Sequence, residues 1–221
     1  MTELWFSRAK LATDASLAAI MPLLEGRDAR LSGHALIWSL FADGPERKRD
    51  FLWRENADGT YFMLSQRPPN DPHHLFALDE PKLFAPKLAA GDRLRFSLRA
   101  NPVVRRKKEE KVRKHDVVMD ALRGVPAGER AGPRKQIIEG AGAAWLTRQA
   151  EKCGFEVGSV SVDGYETVKV GRRGDGKIEF SVLDFEGVLT VANPETFLLS
   201  LAKGFGSAKA FGCGLMLIRR A

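Results

Sequence analysis

Arg93-Leu94-Arg95-Phe96-Ser97-Leu98-Arg99-Ala100 alternates basic or polar residues with apolar ones. Side chains along a strand point to opposite faces in turn, so this stretch predicts a half-buried strand, one face packed on a core and the other presenting arginine. Downstream, residues 137–153 predict a helix around Ala144, Trp145 and Ala150, stopped by Gly154. Strands fit 157–162, 166–170 and 178–191, with Gly171-Arg172-Arg173-Gly174-Asp175-Gly176 turning a basic hairpin. Pro194 opens a helix over 194–202 that ends at Lys203-Gly204, and 211–218 closes as a strand. Strand, helix, strands, helix, strand is the order of a ferredoxin-like or RRM-like module.

Upstream of residue 87 the same order recurs in shortened form. A strand over 4–9 precedes a helix over 14–24 with apolar Leu17, Ile20, Met21 and Leu24 and Asp14 as its cap. A second short helix covers 34–41. Strands over 51–54 and 61–66 flank Asn56-Ala57-Asp58-Gly59, whose Asp-Gly is a hairpin signal, and a strand near 81–84 completes a four-stranded sheet. The residues from 105 to 114 read as a mobile loop. The expected architecture is therefore α+β, with tandem ferredoxin-like (RRM-like) domains over 1–86 and 87–221, each an antiparallel sheet with helices on one face.

Hydrophobic residues make up 44% and charged residues 29% of 221, a balance that excludes global disorder and suits two small cores. Nothing reads as a signal sequence or as the run of about 18 apolar residues that a membrane span needs, so a cytoplasmic location with no membrane partner is expected. Cys153 and Cys213 lack ligand spacing, which argues against a disulfide framework or a cysteine metal site; both are expected to be buried. The net charge is +7, yet residues 93–114 hold ten lysines and arginines against Glu109 and Glu110, a local +8 that leaves −1 for the rest of the chain. Charge so concentrated is the footprint of a nucleic-acid partner or of a solvated run, not a solubility coat.

Near the C-terminus, Gly204-Phe205-Gly206 and Gly212-Cys213-Gly214 bracket Lys209. Glycines let backbone N–H groups approach a phosphate closely while lysine adds a mobile charge; the same glycines also suit a tight helix-to-strand connection. His34 stands apart from the other histidines. At 100° per residue, Leu36, Ile37, Leu40 and Phe41 form the packed stripe of its helix, with His34 and Trp38 along the edge. Ser32 as cap would place His34 in the first turn, where the dipole disfavours imidazolium and favours a nearby anion. A neutral imidazole beside phosphate suits general-base work.

Other patterns carry less. Adjacent His73-His74 face opposite ways and have no third ligand nearby, and His115 ends the basic run. Lys177 after the Gly171 turn precedes a strand, not the Ser/Thr and helix of a nucleotide-binding loop. No nucleophile triad, carboxylate pair or acidic two-metal cluster stands out, and no cofactor is expected.

Three separated segments share one resemblance: His34-x-x-x-Trp38-x-x-Phe41 followed by Arg49-Asp50-Phe51-Leu52; Leu98-Arg99-Ala100-Asn101-Pro102; and Phe185-Glu186-Gly187-Val188-Leu189-Thr190 with the Gly204-to-Gly214 segment. In these the chain resembles the CRISPR-associated repeat-RNA endoribonucleases of type I-E systems, the CasE family. The resemblance implies a metal-independent endoribonuclease that recognises a CRISPR repeat hairpin, cuts precursor crRNA at the hairpin's 3′ base, and stays on the crRNA among the other subunits of a Cascade complex. It places His34 on the family's catalytic histidine. It also implies a 2′-hydroxyl attack that leaves a 2′,3′-cyclic phosphate and a 5′-hydroxyl. Relatives can carry a tyrosine one helical turn before that histidine, where this chain has Leu31; Arg47, Lys48, Arg49 and Lys209 are candidates to stabilise the phosphorane instead.

For RNA contacts, Arg172 and Arg173 at the hairpin turn, flanked by Lys169 and Lys177, suit probing the groove at a stem's end, where arginine reads guanine edges. Arg105, Arg106, Lys107 and Lys108 would add salt-dependent phosphate attraction, and Gly204, Gly206, Lys209, Gly212 and Gly214 a backbone cradle. A non-catalytic scaffold capping a processed guide RNA, or a basic module for DNA or an acidic protein, are the competing readings.

Overall fold

The computed structural model describes residues 3–13, 29–42, 44, 48–108, 111–171 and 177–221. The helix expected over 14–24 lies outside them, as do Arg47, Arg172 and Arg173. Two units group by proximity: Met1–Lys87 with Lys169–Glu179 and Ala208–Leu215, and Leu88–Val168 with Phe180–Ser207 and Met216–Ala221.

In the first unit, β1 (Trp5–Leu11) is followed by helix α1 (Ala29–Ser39), then β2 (Phe51–Glu55), β3 (Tyr61–Ser65), β4 (Phe76–Leu78) and β5 (Lys82–Leu83). The sheet runs β2-β3-β1-β4, with β5 also on β1, so the second of the two long strands after the helix lies beside the first strand of the unit. Trp5 pairs with Ser65 and Trp53 with Met63, in antiparallel register. Among the described residues the sheet has five strands where the pattern predicts four. Phe76–Leu78 pairs with one end of β1 and Lys82–Leu83 with the other, as two pieces separated by a stretch that includes Pro81, which has no N–H to donate. Ala9, Leu36, Ile37, Leu40, Phe41, Phe51, Trp53, Tyr61 and Met63 form one buried cluster between α1 and the sheet.

The second unit repeats the plan. Strand β6 (Arg93–Ala100) is followed by β7 (Val103–Lys108), β8 (Lys111–Asp116), a short helix α2 (Val117–Ala121), α3 (Arg134–Cys153), β9 (Phe155–Gly171), β10 (Lys177–Val191), α4 (Pro194–Lys203) and β11 (Met216–Arg220). The main sheet has the order β11-β6-β10-β9, the ferredoxin-like arrangement in which the last strand lies beside the first. Leu94, Phe96, Leu98 and Ala100 are buried while Arg93 and Arg95 are exposed, as the alternation requires. Helices cover the apolar face: Trp145 of α3 lies 5.5 Å from Phe185, and Phe155 lies 5.4 Å from Phe197 of α4.

Local signals set the ends of these helices. Gly154 closes α3 at φ 76°, a left-handed conformation that costs a side chain more than it costs glycine. Asn193 caps α4 by accepting from Thr196 N, with Pro194 at the first position. The helix expected from residue 34 already includes Ala29, and the two strands expected within 157–170 are one continuous strand of 17 residues. Cys213 is buried, as expected, whereas Cys153 is only partly so.

Asn101 shows how the second unit is pinned. It is 4% exposed, and its Nδ2 donates to the Ser181 carbonyl at 2.6 Å while its own carbonyl accepts from Ser207 N at 3.1 Å. Replacing Asn101 with Ala orphans the Ser181 carbonyl, so unfolding free energy should fall by about 1–3 kcal/mol. Urea titration should show a lower midpoint with an unchanged slope.

Candidate functional site

Helix α1 orients its histidine through the core beneath it. Leu36, Ile37, Leu40 and Phe41 are 3% exposed or less, and His34 and Trp38 are half-buried at the stripe's edge. Phe51 at the start of β2 is the hub. Its ring stacks on Phe41 at 4.5 Å, meets Trp38 at 5.5 Å and takes the His34 imidazole at 6.4 Å with 29° between planes. Trp38, four residues on, flanks the imidazole at 5.7 Å. Ring contacts on two sides hold the imidazole in place.

Ser32 does not cap this helix. Helix α1 already runs from Ala29, which puts Ser32 inside it and His34 at its sixth residue, beyond the reach of the terminal dipole. The rings of Trp38 and Phe51 flank the imidazole there, away from the helix terminus.

The end of α1 is tied down by Arg67. Its Nε donates to Asp50 Oδ2 at 2.8 Å, its Nη2 donates to the Phe41 carbonyl, and its guanidinium lies 5.5 Å over the Phe41 ring. Asp50 immediately precedes Phe51, so this one side chain links the end of α1 to the start of β2. Arg49 is half-buried, and desolvation pulls its guanidinium below its ordinary pKa. Lys48 is exposed.

The glycines of the C-terminal segment divide between two jobs. Gly204 ends α4 at φ 72° and donates to the Ser200 carbonyl, while Gly206 lies against Asn101, where a Cβ would come within 2.7 Å of the carbonyl oxygen. Both belong to the second unit. The remainder, Ala208–Leu215, belongs to the first. Here a 3-10 turn over Lys209–Phe211 packs on α1 and β2, followed by Gly212 and Gly214, both buried. Lys209 itself is half-buried on that turn. The structure thus brings the turn bearing Lys209 to the helix that carries His34, and Gly212 to Trp53 of β2.

The loop expected over 105–114 is instead a two-stranded ribbon. Register pairs Arg105 with Lys114, Arg106 with Arg113 and Lys108 with Lys111. Like charges directly opposite one another repel, and among the described residues the carboxylate of Asp120 beside the ribbon offsets part of that repulsion. Arg106 donates to Asp120 at 2.6 Å, which holds the Asp120 carboxyl below its usual range and raises the Arg106 guanidinium. Arg123 reaches His115 Nδ1 at 2.9 Å, and Lys114 Nζ donates to Ser207 Oγ at 3.2 Å. Arg105, Arg106 and Lys107 are exposed.

The ribbon's base is set by Asp116. Its Oδ1 accepts from Met119 N at 2.7 Å and from the Tyr165 hydroxyl at 3.0 Å, and burial pushes the Tyr165 phenol up. Lys169 is exposed near the end of β9, and Lys177 begins β10. Among the described residues no group of three or more His, Cys, Asp or Glu could hold a metal ion, and His73 and His74 sit exposed in a turn. No helix among them is long and apolar enough to cross a membrane.

Two antiparallel sheets of the same strand order, each with helices on one face, define a tandem ferredoxin-like protein, here with a half-buried histidine and a basic ribbon. A family model described as CRISPR associated protein matches residues 4–220, and the chain belongs to that family. It is 32% identical over 149 residues to the CRISPR-associated endoribonuclease Cse3 of Thermus thermophilus, an alignment covering 62% of this chain and 61% of that relative. With the CRISPR system Cascade subunit CasE of Escherichia coli K12 it shares 28% identity over 190 residues, covering 83% of this chain and 88% of that one. Among solved structures, CRISPR endoribonuclease Cse3 bound to 19 nt RNA superposes with a TM-score of 0.71 at 25% identity, covering 99% of each chain. Cas6e of Escherichia coli K-12 gives 0.62 at 21% identity over 98% of this chain and 100% of its own, a likeness of fold.

Replacing Arg67 with Ala removes the guanidinium that donates to half-buried Asp50 Oδ2 and to the Phe41 carbonyl. Stability should fall by about 2 kcal/mol. Denaturant unfolding followed by tryptophan fluorescence measures the loss.

Proposed function

We propose that this chain is a CRISPR repeat-RNA endoribonuclease in which His34 moves the proton at the scissile phosphate. The observation that carries the reading is the imidazole itself, half-buried at the edge of α1 and held against Phe51, on a helix against which the turn bearing Lys209 packs. In the proposed step the 2′-hydroxyl oxygen bonds to the adjacent phosphorus and loses its proton. The bond from phosphorus to the 5′-oxygen breaks, and that oxygen gains a proton. The products are a 2′,3′-cyclic phosphate and a 5′-hydroxyl. His34 serves as general base or acid, a role worth about 10²–10⁴-fold. In this reading Lys209 offsets charge on the phosphorane.

RNA binding rests on the ribbon. Opposed cations such as Arg105 and Lys114 repel until a polyanion lies along them, and each phosphate contact releases counterions. Lys169, Lys177, Arg172 and Arg173 belong to the proposed hairpin contact at a stem's end, and Lys108, Gly204, Gly206 and Gly214 to the wider RNA-binding set. Retention of the product as a subunit of a Cascade complex follows the naming of the Escherichia coli relative, and a cytoplasmic location is part of the same reading. A second reading, a non-catalytic cap on a processed guide, is favoured by Leu31 where relatives can carry tyrosine.

Replacing His34 with Ala should slow cleavage of a cognate repeat hairpin by at least about 100-fold while leaving its dissociation constant within about twofold. Cutting at the parent rate would remove His34 from the mechanism. Replacing Arg105 and Lys107 with Ala should weaken binding and reduce the slope of log affinity against log salt by about 1 to 2, measured by filter binding.

A further inference from the structure

We infer that Trp53 is a positioning residue, a wedge that sets the distance between the helix carrying His34 and the turn carrying Lys209. The inference rests on the reading of His34 given above.

Gly33 directly precedes His34 in α1. Glycine is the poorest helix former after proline, so its presence near the middle of an 11-residue helix needs a cause. A Cβ built at Gly33 would lie 2.9 Å from Trp53 Cη2 and 3.4 Å from Cζ3. The backbone of α1 therefore rests directly on the indole, and no side chain fits between them. Gly212, three residues after Lys209, meets the same atoms. A Cβ there would lie 3.3 Å from Cη2, 3.3 Å from Cζ3 and 3.5 Å from Cζ2. Its φ of +76° disfavours a side chain on separate grounds.

One ring edge thus touches the backbone next to the histidine and the backbone next to the lysine turn. Trp53 is 3% exposed, and its Nε1 has no hydrogen-bond partner among the described residues. A buried indole that gives up a hydrogen bond is held there by shape, and interiors packed to crystal density transmit small changes of shape. The turn packs on both α1 and β2, the strand that carries Trp53, so the three elements meet around this ring.

The size of the indole then fixes the spacing of α1 from the turn, and with it the separation of two groups that must reach one phosphate. A misplacement of about 1 Å can cost 10²-fold in rate without loss of affinity. Two opposite changes test this. Gly33→Ala adds a methyl group to the filled contact, and Trp53→Phe removes the outer edge of the indole that the methyl would strike.

The measurement is the single-turnover cleavage rate of a cognate CRISPR repeat hairpin RNA at saturating protein. It is set beside the dissociation constant for the same RNA with a 2′-deoxy substitution at the cut. Gly33→Ala should cut about 10–100-fold more slowly with affinity within about twofold, and Trp53→Phe about threefold more slowly. The double variant should cut at least about fivefold faster than Gly33→Ala alone, a coupling that two independent packing defects would not show. Overturning results are Gly33→Ala at the parent rate, Trp53→Phe at the parent rate, or single effects that simply add in the double variant. Should Gly33→Ala fail to fold, recovery of folding and cleavage in the double variant is the supporting outcome, and failure of the double the overturning one. His34→Ala runs alongside. Its cutting at the parent rate would overturn the role of His34 itself, whereas an inactive His34→Ala with no recovery in the double variant would overturn the wedge alone.

Discussion

The stack of Phe41 on Phe51, 4.5 Å between ring centres, is the contact on which the candidate site depends. It joins the end of α1 to the start of β2 inside the core of the first unit, and the same Phe51 ring extends outward to Trp38 and His34. A histidine at a helix edge is ordinarily mobile. Here its position is inherited from a buried aromatic cluster whose members cannot move singly, because each large apolar side chain contributes roughly 1.5–3 kcal/mol through burial. Arg67 reinforces the junction from outside by binding both Asp50 and the Phe41 carbonyl. Core packing and the placement of a reactive group are one structural fact in this unit.

The second unit concentrates exposed charge. Its ribbon sets arginine and lysine opposite one another, an arrangement that the folded chain tolerates through Asp120, through the exposure of the side chains and through the anchoring of Asp116 at the base. Such a ribbon is pre-strained toward a polyanion, and screening by salt weakens that preference. On the proposed function, this separation lets affinity reside in many exposed cations while the chemistry resides in a few packed groups. That division underlies the expectation that rate and affinity respond to different substitutions.

Much of this was legible in the residues. The alternation of 93–100, the glycine stop at 154 and the proline start at 194 are local signals, and local geometry obeys them. The edge position of His34 follows from 3.6 residues per turn alone. What failed to read depends on tertiary partners. Ser32 and Gly33 look like a helix boundary, yet the helix continues from Ala29 because Gly33 packs on a strand 20 residues away. The basic run looks like a loop because cations carry no apolar alternation, and its strands exist through their pairing with each other. The glycines near the C-terminus look alike in sequence but fall to different units, a division visible only once Asn101 and Trp53 are seen as their neighbours. Trp53 itself gives no local signal, being one more apolar residue on a buried strand.

In the proposed reaction the RNA's own 2′-hydroxyl attacks the phosphorus while protein side chains handle the protons. Incubating the intact chain with its cognate repeat hairpin in excess EDTA, beside a copy carrying a single 2′-deoxy nucleotide at the cut, tests it most directly. With that reaction, the all-ribose hairpin is cut to a 2′,3′-cyclic phosphate, while the deoxy copy binds tightly and is not cut. Cleavage of the deoxy hairpin, or loss of all cleavage on chelation, would contradict it.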